Sequence, residues 1–140
     1  MRIVLDTSVL VAALRSRLGA GNAILRLVAQ GRLVLLATPP LFLEYEEVLK
    51  RPEHQIVHGL SSPEMDEFLQ ELAALVEPVE LHFRWRPQVH DINDEMVLEA
   101  AINGDADALV THNTADFSDA AARFNVPVLT PGDFLKRMKP

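Results

Sequence analysis

The 140-residue sequence contains no cysteine, and this absence excludes two kinds of site at once. Without thiols the chain forms neither disulfide bonds nor thiolate-ligated zinc sites, which fits a reducing compartment. It also lacks any run of about 18 uninterrupted apolar residues, so we predict no membrane-spanning helix. The first residues show no signal-peptide pattern. The sequence therefore predicts a soluble, cytoplasmic protein.

Positive charge is also scarce in this chain. Its formal net charge is −7, whereas proteins that hold nucleic acid by its phosphates are usually basic. A group of carboxylates that holds divalent cations would itself lower the formal charge, and the loaded site would be far less negative. Ten of the 13 cations are arginine, which binds phosphate better than lysine does. The acidic balance thus argues against a nonspecific grip on phosphates and leaves a metal-loaded phosphate site open.

Hydrophobic residues make up 49% of the chain, enough for a core, and short apolar runs alternate with amphipathic segments. This alternation predicts a parallel sheet covered by helices on both faces. Strands are predicted at residues 2–5, 32–38, 78–83, 108–112 and 126–130. Helices are predicted at residues 7–16, 20–30, 40–50, 63–76, 93–103, 118–124 and 131–138, with 51–62 open between loop and short helix. We expect one α/β domain over residues 1–140, a three-layer α/β/α sandwich with a central, mainly parallel sheet.

The first predicted strand ends abruptly at an acid, Asp6, which the hydroxyl residues Thr7 and Ser8 follow. In open parallel sheets, ligands bind beyond the carboxyl ends of the strands, which is where Asp6 lies. Residues at such positions also cap helices, and Asp6 or Thr7 would do so for the helix that follows. Residue type and position therefore leave a functional role and a capping role equally open for Asp6.

A second acid, Asp94, lies in line with an apolar stripe. In its predicted helix it shares one face with Val97 and Leu98, three and four residues further on. A carboxylate buried there needs a cation, hydrogen-bond donors or a proton. The alternative is that Asp91 caps the helix and the helix dipole favours Asp94 in the first turn. That alternative explains Asp91 better than it explains the inward direction of Asp94.

The acidic segment EYEE, in the helix predicted at 40–50, contains a third candidate. Glu44 lies at one edge of the apolar stripe of this helix and Glu46 lies at the other, whereas Glu47 points further outward. Helical phase alone does not choose between Glu44 and Glu46. A solvated acidic face is the commoner outcome for a run of this kind.

A fourth acid, Asp116, follows Thr111 and Asn113 in a loop predicted after the fourth strand. This loop leaves the same edge of the sheet as Asp6, although turn formation also explains such residues. Acids brought together in this way would repel one another unless hard divalent cations neutralised them. Oxygen-rich sites of this kind suit Mg²⁺ or Mn²⁺.

Four segments, in order along most of the chain, resemble the PIN domain family, a nuclease fold that includes toxins of toxin–antitoxin pairs. VLDTSVLVAAL resembles its opening acid–hydroxyl motif, EYEEVLKRP its second segment, DINDEMVLEAAINGDADALVT its third and THNTADF its fourth. The resemblance selects Glu44 over Glu46 and makes Asp94 the family acid of the third segment. Some relatives have an acid directly after the fourth strand, where this chain has Asn113. We therefore take Asp116 as the fourth acid and Asn113 as a helper.

The resemblance implies a metal-dependent endoribonuclease that hydrolyses RNA phosphodiester bonds, the VapC-like toxin of a toxin–antitoxin pair. The catalytic residues that it implies are Asp6, Glu44, Asp94 and Asp116. The Mg²⁺ or Mn²⁺ ligands among them are Asp6, Asp94 and Asp116. The accessory residues that it implies are Thr7, Ser8, Asp91, Thr111 and Asn113. Expected partners are RNA, a cognate antitoxin protein and a second copy of the chain in a homodimer, with no membrane.

Two rival functions come from other classes. A haloacid-dehalogenase-type phosphotransferase needs a second acid two residues after Asp6, where this chain has Ser8. It also needs a lysine near its later motifs, and none lies between Arg51 and Lys136. No glycine-rich phosphate loop favours a nucleotide-binding module. The other rival is a catalytically inactive PIN-like domain that binds RNA or protein, which the presence of all four acids disfavours.

Other polar residues carry weaker predictions. His54 and His58 have helical spacing for zinc, but no acid lies between them as in the H-E-x-x-H pattern, so we disfavour that site. Arg84 and Arg86 flank Trp85, a cluster suited to stacking RNA bases, although an edge loop with a partly buried tryptophan is preferred.

Cations also follow the first helix, and a histidine follows the fourth strand. Arg15 and Arg17 would steer a substrate or meet an antitoxin, or they would only complement the C-terminus of the helix. His112 lies near the predicted cleft, where an ordinary loop residue is the preferred interpretation.

Overall fold

The structure, a computed structural model, describes residues 1–82 and 91–138. Within these residues, five strands form one sheet: β1 (Arg2–Leu5), β2 (Val34–Ala37), β3 (Val76–Pro78), β4 (Ala108–Val110) and β5 (Val128–Leu129). The strand order is β3-β2-β1-β4-β5, and every pairing is parallel. The predicted α/β fold with a central parallel sheet is therefore confirmed. The Arg84, Trp85 and Arg86 cluster lies outside the described residues.

Helices flank this sheet, and within the described residues one to three of them follow each strand. They are α1 (Thr7–Arg15), α2 (Ala20–Ala29), α3 (Pro39–Leu49), α4 (Pro52–His58), α5 (Ser62–Leu75), α6 (Ile92–Asn103), α7 (Thr114–Arg123) and α8 (Pro131–Met138). In the part of the chain that the structure describes, none of them is long and apolar enough to cross a membrane.

The central strand is β1, whose continuous apolar run suits a strand covered on both faces. Ile3, Val4 and Leu5 are fully buried, and each such side chain stabilises the fold by about 1.5–3 kcal/mol through burial. From β1 the chain moves outward to β2 and β3 on one side. It then crosses back to β4 and β5 on the other side. The carboxyl ends of β1 and β4 therefore flank the topological switch point, the usual place for a ligand in such a sheet.

The third strand begins earlier than the sequence pattern predicts. The alternating polarity of PVELHF predicts it at residues 78–83, of which residue 83 lies outside the described residues, but β3 starts at Val76, directly after α5 ends. The parallel register pairs Val76 with Leu35, and the backbone N–H of Val79 donates to the carbonyl of Ala37. The hydrogen bonds to β2 thus determine where β3 begins. Alternation of polarity along one segment does not reveal this pairing.

Residues 51–62, which the sequence left open between loop and short helix, contain the short helix α4. Ser61 then caps α5 through a reciprocal capping box with Glu64. The helix predicted at 118–124 begins one turn earlier, at Thr114. Asp116 therefore lies in the first turn of α7, and its predicted position in a loop is wrong.

Candidate functional site

A cleft of about 470 Å³ opens beyond the carboxyl ends of β1 and β4. It brings together seven of the nine site residues predicted from the sequence: Asp6, Thr7, Ser8, Glu44, Asp91, Asp94 and Asn113. Of the other two, Thr111 lies buried behind Asp6, and Asp116 lies near enough for its charge to act on Asp94. Side chains from four separate segments of the chain thus meet at the switch point.

Asp6 is held by hydroxyl groups on one of its two carboxylate oxygens. Its Oδ2 accepts hydrogen bonds from Ser8 Oγ at 3.1 Å and from Thr111 Oγ1 at 2.7 Å. Thr111 Oγ1 in turn accepts a hydrogen bond from the backbone N–H of Asn113 at 3.0 Å. Asp6 precedes α1 but forms no side-chain cap to it, so the capping alternative is wrong. No hydrogen bond within residues 1–82 and 91–138 reaches its Oδ1, which leaves that atom for a ligand.

A buried tyrosine fixes the end of β1 just before this acid. The Tyr45 hydroxyl, on α3, donates a hydrogen bond to the carbonyl of Leu5. Burial, with a smaller contribution from the charge of Asp6, raises the pKa of the Tyr45 hydroxyl, so it remains a neutral donor. This contact was not predicted from the sequence. The signal was a tyrosine in the apolar stripe of a helix, because a buried hydroxyl needs a partner.

Asp94 is half-buried, and its surroundings disfavour the charged form. Burial raises its pKa from 3.8 to about 6, with further contributions from the charges of Asp6, Asp91 and Asp116. Asp91 also caps α6, since its side chain accepts a hydrogen bond from the N–H of Asn93 at 2.8 Å. The capping role proposed for Asp91 is thus correct, and Asp94 still lies among acids from three other positions.

Glu44 lies in the cleft, whereas Glu46 does not line it. Burial raises the pKa of the Glu44 carboxyl, and the nearby charge of Glu47 raises it further. The Arg51 guanidinium opposes this shift, while Asp91 adds to it. The structure therefore places at the site the glutamate that the family resemblance selects and that helical phase alone left undecided.

The charges of these acids act on one another, but their side chains do not surround a common position for one ion. Asp116 is solvent-exposed in the first turn of α7 and does not line the cleft, whereas the exposed residues His112 and Asn113 do. Among the residues that the structure describes, no three Asp, Glu or His side chains are grouped closely enough to hold one ion. In the disfavoured zinc pair, His58 Nδ1 accepts a hydrogen bond from the N–H of Leu60.

The buried Thr111 hydroxyl provides a first test of this arrangement. Thr111→Val keeps the shape of the side chain but removes the hydrogen bonds to Asp6 and from Asn113. We expect the free energy of unfolding to fall by about 1–3 kcal/mol, since a buried polar partner is lost. Urea denaturation measures this loss. Thr111→Ser retains the hydroxyl and should lose clearly less; equal losses in both variants would show that packing, not the hydroxyl, matters.

The fold and the cleft together define an α/β protein with carboxylates at a parallel-sheet switch point. The family model of the PIN domain matches residues 2–115, well over half of the sequence. The chain belongs to the PIN domain family, whose members are generally nucleases. The resemblance seen in the sequence is thereby confirmed.

The fold is also similar to that of a solved structure. One chain in the crystal structure of VapBC2 from Rickettsia felis, bound to a promoter DNA fragment, matches with a TM-score of 0.57. The match covers 91% of this chain and 97% of that chain at 18% sequence identity, so it shows a common fold. No curated protein matches the sequence significantly.

Proposed function

We propose that this protein is a metal-dependent endoribonuclease, the VapC-like toxin of a toxin–antitoxin pair, which hydrolyses RNA phosphodiester bonds. The observation that carries the proposal is the meeting of Asp6, Glu44 and Asp94 in one cleft at the switch point of a PIN domain. The pKa of Asp94 rises to about 6 partly because of its acidic neighbours. Such an arrangement is costly to the fold, which is typical of a functional site.

The residues of the cleft fit a hard divalent cation. Their donors are carboxylate oxygens, which Mg²⁺ and Mn²⁺ prefer, and one oxygen of Asp6 is held while the other is left for a ligand. Asp6, Asp94 and Asp116 would hold the ion, directly or through water, with Glu44 completing the site. When bound, such an ion would lower the pKa of the attacking water and neutralise negative charge that develops on the phosphate.

The protein's own side chains would orient the reaction. Ser8 and Thr111 keep the Asp6 carboxylate in one rotamer, which is the usual task of groups behind a metal ligand. Glu44, whose pKa burial raises, is suited to accept a proton from the attacking water. Thr7 and Asn113 line the cleft and would donate hydrogen bonds to the scissile phosphate. The expected products carry a 5′-phosphate and a 3′-hydroxyl.

The proposal extends to partners. VapBC2, whose crystal structure includes a DNA fragment from a promoter, shares this fold. Its likeness to this chain supports a cognate antitoxin here as well. We further infer that the protein forms a homodimer and acts in the cytoplasm, where RNA is its substrate.

A second candidate function is a PIN domain that binds RNA or protein without cleaving it. The observation in its favour is that, within the described residues, no three acids or histidines are grouped around one point, and Asp116 is exposed. On this view the acids of the cleft would have lost a role in catalysis.

A cleavage assay separates the two candidates. We expect the purified protein to cut a labelled single-stranded RNA when Mg²⁺ or Mn²⁺ is present and to stop when EDTA is added, leaving 5′-phosphorylated fragments. Asp119→Asn, on an exposed position of α7 outside the cleft, should cut like the parent. Binding of RNA without any cleavage at saturating Mn²⁺ would support the binding module, and cleavage that persists in EDTA would rule out metal dependence.

A further inference from the structure

The cleft has a basic wall, formed by Arg15, Arg51 and His54. Arg15 ends α1, while Arg51 and His54 belong to the start of α4, a helix that contacts α1. Because α1 begins directly after Asp6, Arg15 lies about 14 Å from that acid along the helix axis. The cleft is therefore acidic at the sheet edge and basic further out.

Within the basic wall, Arg15 is the guanidinium with free donors. It is exposed, and within residues 1–82 and 91–138 it forms no ion pair or side-chain hydrogen bond, although the same cleft contains three buried or half-buried acids. Arg51, in contrast, forms an ion pair with Glu47 at 2.8 Å. An arginine that lines an acidic cleft without pairing there is available to an anion from outside.

His54 adds a further donor to the same wall. Its Nδ1 is buried and has no hydrogen-bond partner in the part of the chain that the structure describes. A buried N–H without a partner is more costly than a buried lone pair, so we assign the ring proton to Nε2. The half-buried ring lines the cleft, and its N–H is therefore available to a ligand there.

We propose that Arg15 and His54 bind a backbone phosphate of single-stranded RNA one or two nucleotides from the one that is cleaved. This inference rests on the proposed function and adds the path of the strand. The scissile phosphate lies at the acids, and the strand continues along α1 toward Arg15. A bound RNA thus pairs one phosphate with the free guanidinium of Arg15. Only the scissile phosphate then lies beside the acids.

The proposal predicts that substrate length matters. A dinucleotide has only the scissile phosphate, whereas an octanucleotide also reaches the basic wall. In Arg15→Gln, the ratio of kcat/KM for the octanucleotide to that for the dinucleotide should fall roughly tenfold, mainly through KM, as for loss of a charged hydrogen bond. Arg32→Gln removes an exposed arginine outside the cleft and serves as the matched control.

Variants of His54 test the assigned donor. His54→Ala should lower the same ratio, while His54→Gln, whose amide keeps an N–H at similar reach, should restore part of it. Equal losses in both variants would overturn the role of the His54 donor. An unchanged ratio in Arg15→Gln, with active cleavage, would overturn the basic wall as a phosphate site.

Metal-free binding separates this proposal from the proposed function. Fluorescence anisotropy of the octanucleotide in EDTA should show weaker binding by Arg15→Gln than by Arg32→Gln. The slope of the logarithm of the binding constant against the logarithm of the salt concentration should also be smaller by about one in Arg15→Gln. Weakened binding in a protein that never cleaves would support the basic wall and contradict the nuclease proposal. Equal binding by the two variants would contradict the basic wall whatever the cleavage assay shows, and would favour an acidic protein segment as its partner.

Discussion

Asp94→Asn is expected to abolish metal-dependent RNA cleavage and, in metal-free buffer, to stabilise the protein. The substitution keeps the size of the side chain and removes one charge from the field of Asp6, Asp91 and Asp116. Loss of a proposed metal ligand should lower kcat/KM by roughly 10²–10³-fold or more. Cleavage of a labelled RNA at saturating Mn²⁺ measures the first effect. Cleavage by the variant at the parent's rate would remove Asp94 from the site.

The stability effect of Asp94→Asn has a defined sign and pH window. A rise in pKa from 3.8 to about 6 means that the folded state binds the proton more tightly than the unfolded state does. The parent is therefore relatively more stable below about pH 4 and loses this stability as the pH rises through about 6. The shift corresponds to ~3 kcal/mol at most, and partial solvent exposure and the lost helix-dipole interaction reduce it to ~1–2 kcal/mol.

Urea denaturation in EDTA at pH 4 and at pH 7.5 measures this pattern. The gain of Asp94→Asn over the parent should be large at pH 7.5 and close to zero at pH 4. Asp119→Asn replaces an exposed acid of α7 and should show no such pH-dependent gain. A gain of the same size at both pH values would mean that repulsion among the acids is not its source.

Asp6→Asn is expected to remove both cleavage and the stabilisation that metal confers. In the parent, Mn²⁺ at about 100 times its Kd should raise the free energy of unfolding by ~2.7 kcal/mol, because the ion binds only the folded state. In the variant, the amide oxygen still accepts the hydrogen bonds from Ser8 and Thr111, so the fold should persist. The charged oxygen available to a cation is nevertheless lost.

Thermal melts with increasing Mn²⁺ test this expectation without any activity readout. The melting temperature of the parent and of Asp119→Asn should rise with Mn²⁺, while that of Asp6→Asn stays constant. A metal-dependent rise in Asp6→Asn as large as in the parent would place the ion elsewhere in the molecule and contradict our ligand assignment.

The sequence predicts those parts of the site that depend on local pattern. Asp6 is predicted because an apolar strand ends on it, and Asp94 because helical phase turns it toward the apolar stripe. Both lie in the cleft. Glu44 required the family resemblance, because two glutamates flank the same stripe and only packing of α3 in the folded protein distinguishes them. The direction of a helix edge relative to a distant strand is a tertiary property.

Most of the remaining differences have the same origin. The start of β3 at Val76 depends on its register with Leu35, and the first turn of α7, which carries Asp116, forms where the chain leaves β4. The neighbourhood of Arg15 and His54 depends on contact between α1 and α4. The register of β3 and the contact between α1 and α4 join residues far apart in the chain, which periodicity within one segment does not encode. The start of α7 is local, since the N–H of Asp116 donates to the carbonyl of Asn113.

The pairing of β1 with β4 sets the earliest time at which the cleft can form during synthesis of the chain. Asp6 and Thr111, joined by a hydrogen bond, are separated by 105 positions, and β1 has no second neighbour in the sheet until β4 emerges. At translation rates of about 5–20 residues per second, this separation corresponds to roughly 5–20 s. A partly translated chain thus has its first acid but no anchored cleft, and the carboxylate of Asp6 stays without its Thr111 donor until β4 has been synthesised.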